Sequence, residues 1–564
     1  MASSTPPSPT KSHPSERDGA ATEIEQDRSS TPPEKELEAG VSPDPQPAAS
    51  QEPEEHWVSG VKLLNIIAAI TLVCLLVLLD TSIVATAIPR ITSDFHSLAD
   101  IGWYGGAYQL ACAALQLLTG KMFMNFSSKW TFMGFFALFE LGSLLCGVAN
   151  SSKMLIVGRG IAGAGSSGIL NGTFTIIAGC VPMAKRPSLI GFVMGVSNLG
   201  LVMGPLIGGA LTEYTTWRWC FYINLPVGGL VALMLAFIEI PDQIQKPPPM
   251  TVVRTLHSKL DLFGFVLFAP AAIELLLAVQ YGGITYPWNS SQVIGLFVGA
   301  GVTFIVFLAW EYYKGDAAMI PFSMARKRTV WTSCLVYGLL MSQLFCSSYY
   351  LPVYFQGVKG ATPFLSGVYL LPSILGQLFS SVASGILVGK VGYYLPFTLV
   401  SAAMVSIANG ILSMLAPDTS TGKWIGYQII LGVGRGLGMQ MPIIAVQNTL
   451  PPAQIAVAMA LTMFSQNFGG ALFLSFSETI FTNSLKTLIP EYAPSVDPQT
   501  VIDAGATGFR GSISSSALAN VLLAYAQSVD RVFYLTAGAS VACFIFAWGT
   551  GWVDIRKKKE VSKA

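Results

Sequence analysis

Apolar runs of about 20 residues follow one another along most of the chain, and they restrict the fold more than any other feature. They lie near 62–88, 102–123, 131–149, 154–178, 188–212, 219–240, 262–281, 292–312, 330–356, 364–389, 394–416, 424–447, 455–484 and 531–553. As helix, about 20 apolar residues cross a hydrocarbon core of ~30 Å. In that core every peptide N–H and C=O has to be paired within its own helix or within a closed barrel. Barrel strands would alternate in pieces of ~10 residues, which these runs do not do. The expected fold is an all-α polytopic membrane protein with 14 transmembrane helices. An even count returns both ends to one side.

Charge is scarce, at 11% of residues, against about 25% in soluble domains. It is also unevenly placed. Residues 1–55 carry 4 basic and 12 acidic side chains, whereas the remaining 509 carry 28 and 19. The near-neutral total of +1 therefore combines a −8 tail with a +9 body, and it gives no support for nucleic-acid binding. The tail is rich in Pro, Ser, Glu and Ala and has no aromatic residue through position 55. Such a segment buries too little apolar area to offset the entropy of ordering it. Residues 1–58 are expected to be a disordered acidic cytosolic tail.

Lysines and arginines in the loops set the orientation. With both ends inside, the inner connections and C-terminal tail hold 17 cations, from Lys121, Lys129 and Lys185 to Arg556 and Lys563, against 8 in the outer connections. Both termini are thus assigned to the cytosol. The eight cysteines fall in or beside spans and make no CxxC pair, and the four histidines are far apart. Buried thiols are expected, with no metal, no cofactor and no disulfide framework.

Two local patterns recur. Gly120-Lys121 closes the second span and Gly389-Lys390 the tenth; Val157-Gly158-Arg159-Gly160 in the fourth is echoed by Val433-Gly434-Arg435-Gly436 in the twelfth. The second echo has an alternative register, in which Gly158 aligns with Gly432 and Arg159 with Val433. The reading is an N-terminal six-helix bundle over 59–241, a linker with two inserted helices over 242–328, a C-terminal six-helix bundle over 329–553, and a basic cytosolic tail over 554–564. Parallel repeats with a midplane site between them are a transporter plan.

Several longer motifs carry a family resemblance. They are Leu79-Asp80-Thr81-Ser82-Ile83-Val84-Ala85-Thr86-Ala87-Ile88-Pro89 in the first span and Gly200 to Gly209 in the fifth. Trp217 to Gly228 enters the sixth span, Tyr349 to Gln356 ends the ninth, and Gly426 to Ile430 opens the twelfth. On these the chain, over about 60–555, resembles the major facilitator superfamily. Within it, the match is to the fourteen-span drug:proton antiporters and their fungal toxin and secondary-metabolite efflux branch. The resemblance implies the major facilitator fold and proton-coupled efflux of an amphipathic small molecule, such as a toxin, secondary metabolite or drug. It gives Asp80 and Arg159 a part in proton coupling. It makes Gly200, Gly204, Pro205, Gly208 and Gly209 an antiporter motif that helps seal a gate. One departure is the loop after the second span, where Met124 or Asn125 stands near the family's Asp.

The physics of these residues is consistent with that assignment. Glycines at i, i+4 and i+8 (200, 204, 208) share one helix face and let a neighbour approach closely; Pro205 withholds a backbone donor. Six charged residues stand deep in spans: Asp80, Glu140, Arg159, Glu274, Arg435 and Glu478. Each costs roughly 2.5–3.5 kcal/mol on insertion scales, so each needs a structural or functional reason. Candidate cavity residues are Tyr108, Gln109, Glu140, Tyr349, Tyr350, Tyr354, Arg435, Gln440, Gln466 and Glu478. The run Gly158-Arg159-Gly160-Ile161-Ala162-Gly163-Ala164-Gly165 lacks the strand and Gly-Lys-Ser/Thr ending of a nucleotide loop. No nucleophile–base or metal constellation suggests an enzyme. A proton-coupled importer of a siderophore-like substrate, or a non-transporting sensor, remain alternatives. The expected partners are the lipid bilayer, protons and the substrate; the chain is expected to be monomeric. The expected location is the plasma membrane, with an internal vesicle or vacuolar membrane as the alternative.

The orientation predicts that epitope tags at either terminus are reached by antibody only after permeabilisation; labelling of intact cells would reverse it.

Overall fold

The structure is a computed structural model that describes residues 57–96, 100–242, 246–283 and 286–556. The acidic tail and the cations from Lys557 to Lys563 lie outside the described residues.

Fourteen long helices account for the apolar runs. They are α1 (Gly60–Phe95), α2 (Ile101–Asn125), α3 (Ser128–Gly147), α4 (Ser152–Cys180), α5 (Arg186–Tyr214), α6 (Asn224–Phe237) and α7 (Leu262–Tyr281). The second seven are α8 (Ser291–Lys314), α9 (Arg328–Val353), α10 (Leu371–Val391), α11 (Leu395–Leu412), α12 (Thr421–Gly438), α13 (Pro452–Tyr492) and α14 (Ser515–Ala547). Among the described residues no strand is formed, apart from two isolated bridges. Among the described residues thirteen spans are both long and apolar enough to cross a membrane; α2 is outside that set. At 25 residues it is about 38 Å long, enough to span. Its lower hydropathy comes from Tyr104, Tyr108, Gln109, Gln116 and Lys121, and four of these are buried against protein.

Several boundaries differ from the hydropathy runs. The sixth run divides into a single turn (Trp219–Tyr222) followed by α6. The twelfth breaks at Met439–Gln440, beyond which Met441–Thr449 continues as a separate helix. α14 begins at Ser515 rather than near 531, because its first half is amphipathic: Val521, Ala524 and Tyr525 are buried while Ser515 and Ser516 are exposed. α13 runs for 41 residues, roughly 60 Å, and so must extend beyond the hydrocarbon.

Packing follows the order of the spans. α1 lies on α5, and α4 on α2 and α3; α9 lies on α13 and α14, and α12 on α10 and α11. These two groups meet along α5–α10 and α2–α13, while α7 packs on α8 and reaches α2 and α13. The tightest crossings use glycine. A Cβ on Gly120 of α2 would come 2.8 Å from Val457 Cα of α13, and one on Gly191 of α5 would come 2.5 Å from the Ser381 carbonyl of α10. Lipid gives no hydrophobic drive for helices to associate, so dispersion at such close approaches has to supply it. All eight cysteines are buried, free thiols.

The fifth-span motif lies at the α1–α5 crossing. A Cβ on Gly200 would sit 2.6 Å from the Leu75 carbonyl, and one on Gly204 would collide with Ser82 Oγ. Ser82 Oγ donates to the Gly200 carbonyl at 3.1 Å, joining the two backbones. Gly208 is buried, while Gly209 faces open space with no atom within 4 Å of a Cβ. Gly200→Val should therefore destabilise the purified protein by about 1–3 kcal/mol of overpacking, and Gly209→Ala should leave Tm unchanged. Equal melting of the two variants would contradict this packing.

Candidate substrate cavity and buried charge pair

The glycine-rich run in α4 is a packing surface for two helices. Ala162 and Gly165 meet Gly142 and Phe139 of α3, and a Cβ on Gly163 would lie 2.2 Å from the Tyr108 carbonyl of α2. That approach brings α2 across α4 one turn from Arg159, whose side chain is 1% exposed. Its Nη1 donates to Asp80 Oδ2 of α1 at 2.5 Å, and its Nε to the Tyr104 carbonyl of α2 at 2.9 Å. The Tyr108 ring covers the guanidinium at 4.4 Å. Asn224, at the start of α6, completes the carboxylate: its Nδ2 donates to Asp80 Oδ1 at 3.2 Å and to Ser143 Oγ of α3 at 3.1 Å. Five helices thus converge on one charge pair. Asn224 and Ser143 were not among the candidate residues, although Asn224 belongs to the motif entering the sixth span, and its polarity inside an apolar run was the available signal.

Next to this pair lies a cavity between the helices. It is enclosed by α1, α2, α4 and α5 on one side and by α9, α13 and the α12 break on the other. Tyr108, Gln109 and Gln466 of the candidate residues line it. Its wall is mostly apolar, with Phe174, Phe345, Tyr337 and four methionines (194, 341, 439 and 463), and among the described residues no Asp, Glu, Lys or Arg lines it. Four amides face it: Gln109, Asn198, Gln466 and Asn467. Methionine side chains adapt to irregular apolar shapes, and a few placed amides fix orientation. Tyr108 alone belongs to both features: one face of its ring lies over Arg159, and the side chain lines the cavity.

The other candidate residues lie outside that wall. Tyr349 is exposed; Tyr350 packs on Phe481 at 5.5 Å; and Tyr354 is buried, its hydroxyl donating to the Ala416 carbonyl at 2.9 Å. Gln440 joins α12 to α10, donating to the Ser381 carbonyl and to Ser384 Oγ, each at 3.0 Å. Glu478 is half-buried on α13. Both Glu140 oxygens are buried without a hydrogen-bond partner among the described residues and abut Gly228 of α6. Glu274 similarly abuts Gly299 of α8. Arg435 is buried and bonds to α9.

The loop after α2 draws its charges from the linker. Lys246 Nζ donates to the Phe123 and Met124 carbonyls at 2.7 and 3.3 Å, and Asp242 accepts from the Ser128 amide at 3.1 Å and from its hydroxyl. Burial pulls the Lys246 ammonium below its ordinary pKa, while Asp242 opposes the shift. Linker side chains thus cap the end of α2 and the start of α3, although the loop itself lacks the family's carboxylate.

A helical bundle with a central cavity and a charge pair at membrane depth defines a polytopic transporter. Residues 70–474 match the Major Facilitator Superfamily, and the chain belongs to that family of transporters, in its fungal efflux branch. It is 63% identical over 500 residues to the MFS-type transporter pigP of Monascus ruber, covering 89% of this chain and 88% of that one. It is 51% identical over 520 residues to the efflux pump mlcE of Penicillium citrinum, covering 91% and 94%. Among solved structures, the proton:xylose symporter XylE shares the fold with a TM-score of 0.58 at 13% identity, covering 86% of this chain and 95% of that one.

Removing one member of a buried ion pair strands the other and costs about 3–5 kcal/mol, whereas replacing both can be nearly neutral. Asp80→Asn should therefore melt well below the wild type, and the Asp80→Asn/Arg159→Gln double variant should recover much of the loss. Losses that simply add would show that the two groups do not act as a pair.

Proposed function

We propose that the protein is a proton-coupled antiporter that exports amphipathic, uncharged organic molecules such as a fungal secondary metabolite or toxin. The observation that carries this reading is the placement of Tyr108 between an uncharged cavity and the Asp80–Arg159 pair. The efflux names of the similar fungal chains, mlcE among them, support the direction.

The mechanism follows from electrostatics in a dry site. While ionised, Asp80 holds Arg159 and through it ties α1 to α2 and α4. A proton on Asp80 removes the attraction between the two groups, and the guanidinium relies on the Tyr104 carbonyl and the Tyr108 ring instead. A molecule in the cavity presses on that same ring, so substrate and proton bias one arrangement from opposite sides. The two six-helix bundles, 59–241 and 329–553, then rock about the α5–α10 and α2–α13 contacts. The protein works as a monomer in the plasma membrane, both termini in the cytosol, with helices 7 and 8 as an insert. Gly120–Val457 and Gly191–Ser381 are close contacts between the two groups in this state.

The test is transport by purified protein in liposomes with an imposed pH gradient, using uncharged ring compounds as substrates. Uphill movement should stop when a protonophore collapses the gradient. Asp80→Asn, shown to be folded by size-exclusion chromatography, should lose the gradient-driven component. Uphill transport that is indifferent to the proton gradient would overturn the antiport reading.

A further inference from the structure

Arg435 presents the arrangement of Arg159 without its counter-charge. Both arginines sit in a Val-Gly-Arg-Gly sequence on the fourth helix of a group, and both bond to the first helix of that group. Arg435 Nη2 donates to the Gln343 carbonyl of α9 at 2.7 Å and to Ser347 Oγ. Ser347 therefore occupies the role that Asp80 has in the other pair. Among the described residues no carboxylate lies within ion-pair distance of Arg435. The side chain is nonetheless 6% exposed, and its neighbours keep the helix close to α10 and α11: a Cβ on Gly436 would collide with Ser380 Oγ, and one on Gly434 would touch Met404.

Three polar atoms are left over at this point. Arg435 Nε and both Nε2 and Oε1 of Gln343 are buried with no partner among the described residues, and Gln343 is 0% exposed. A guanidinium stays protonated at any physiological pH, and a buried unpaired charge costs several kcal/mol. Its unused N–H and Gln343 Nε2 are donors, whereas Gln343 Oε1 is an acceptor; a group that meets the two donors and offsets the guanidinium is an acceptor with a negative charge. Burial of Arg435, Gln343 and Ser347 between packed helices restricts it to a small one.

We propose that Arg435, Gln343 and Ser347 form a binding site for a small monoanion of the chloride or carboxylate class, held between α9 and α12 outside the substrate cavity. This assignment is independent of the transport direction. The anion completes in the C-terminal group the charge pair that Asp80 completes in the N-terminal one, so the two fourth helices are held by equivalent forces with different partners.

The test is thermal melting of the full-length protein in a non-ionic detergent. Sodium gluconate sets a constant ionic strength, and chloride or acetate replaces it stepwise. The expected result is a saturable rise in Tm of about 2–5 °C. A rise with chloride identifies a free halide as the ligand; a rise with acetate alone identifies a small carboxylate, gluconate being too bulky to enter and so serving as the blank. Ser347→Asp should supply the missing charge, raising Tm in gluconate and abolishing the anion dependence, and Arg435→Gln should abolish the dependence as well. Either variant decides the matter if the other fails to fold. A wild-type Tm that does not respond saturably to either anion, or a response that survives in a folded variant, would overturn the site.

Discussion

One buried ion pair organises the N-terminal part of this protein. Arg159 and Asp80 are almost fully excluded from solvent, and between them they bond or stack with residues of α1, α2 and α4 and with Asn224 at the head of α6. In hydrocarbon the alternative to pairing is a naked charge, so these helices are held together by the cost of separating them. The glycines of α4 allow that geometry. Without the bare surface at Gly163 the backbone of α2 could not approach closely enough for Tyr108 to lie over the guanidinium.

The C-terminal part repeats the scaffold and changes the chemistry. The Arg-Gly element recurs, and Arg435 again reaches the first helix of its group, but it meets a serine and an amide. Each arginine bonds to the first helix of its group, a likeness that goes with the register pairing Arg159 with Arg435. The repeat thus preserves helix packing while the charge differs from one half to the other. Among the described residues, a buried arginine–carboxylate pair of this kind stands in the N-terminal half, at Asp80–Arg159.

The spans themselves were legible because hydropathy is a one-dimensional property. Each run maps onto a helix, and α2, the most ambiguous, is polar because it faces protein. Motif residues such as Asp80, Arg159 and the fifth-span glycines were equally visible, since a charge or a repeated glycine inside an apolar run stands out. Less was legible where packing decides. Tyr349, Tyr350 and Tyr354 read alike in sequence, yet the first is exposed and the other two pack in a hydrophobic cluster away from the cavity. The helical phase of α9, together with its change to a wider turn at Tyr354–Val358, separates them. Lys246 and Asp242 gave no sequence signal for their loop-capping role, because their partners lie more than 100 residues away.

The sequence by itself determined that this chain lives in a bilayer as a polytopic helical protein, and which few residues of its spans carry charge. Those properties follow from the transfer free energy of consecutive side chains and need no partner. Tertiary structure alone decided which charges are paired, which aromatic residue joins the pair to the cavity, and that the cavity wall carries no charge. These depend on helix rotation and on approaches of a few ångströms between segments distant in sequence. Dispersion and Coulomb forces act over those distances, and a hydropathy profile does not record them.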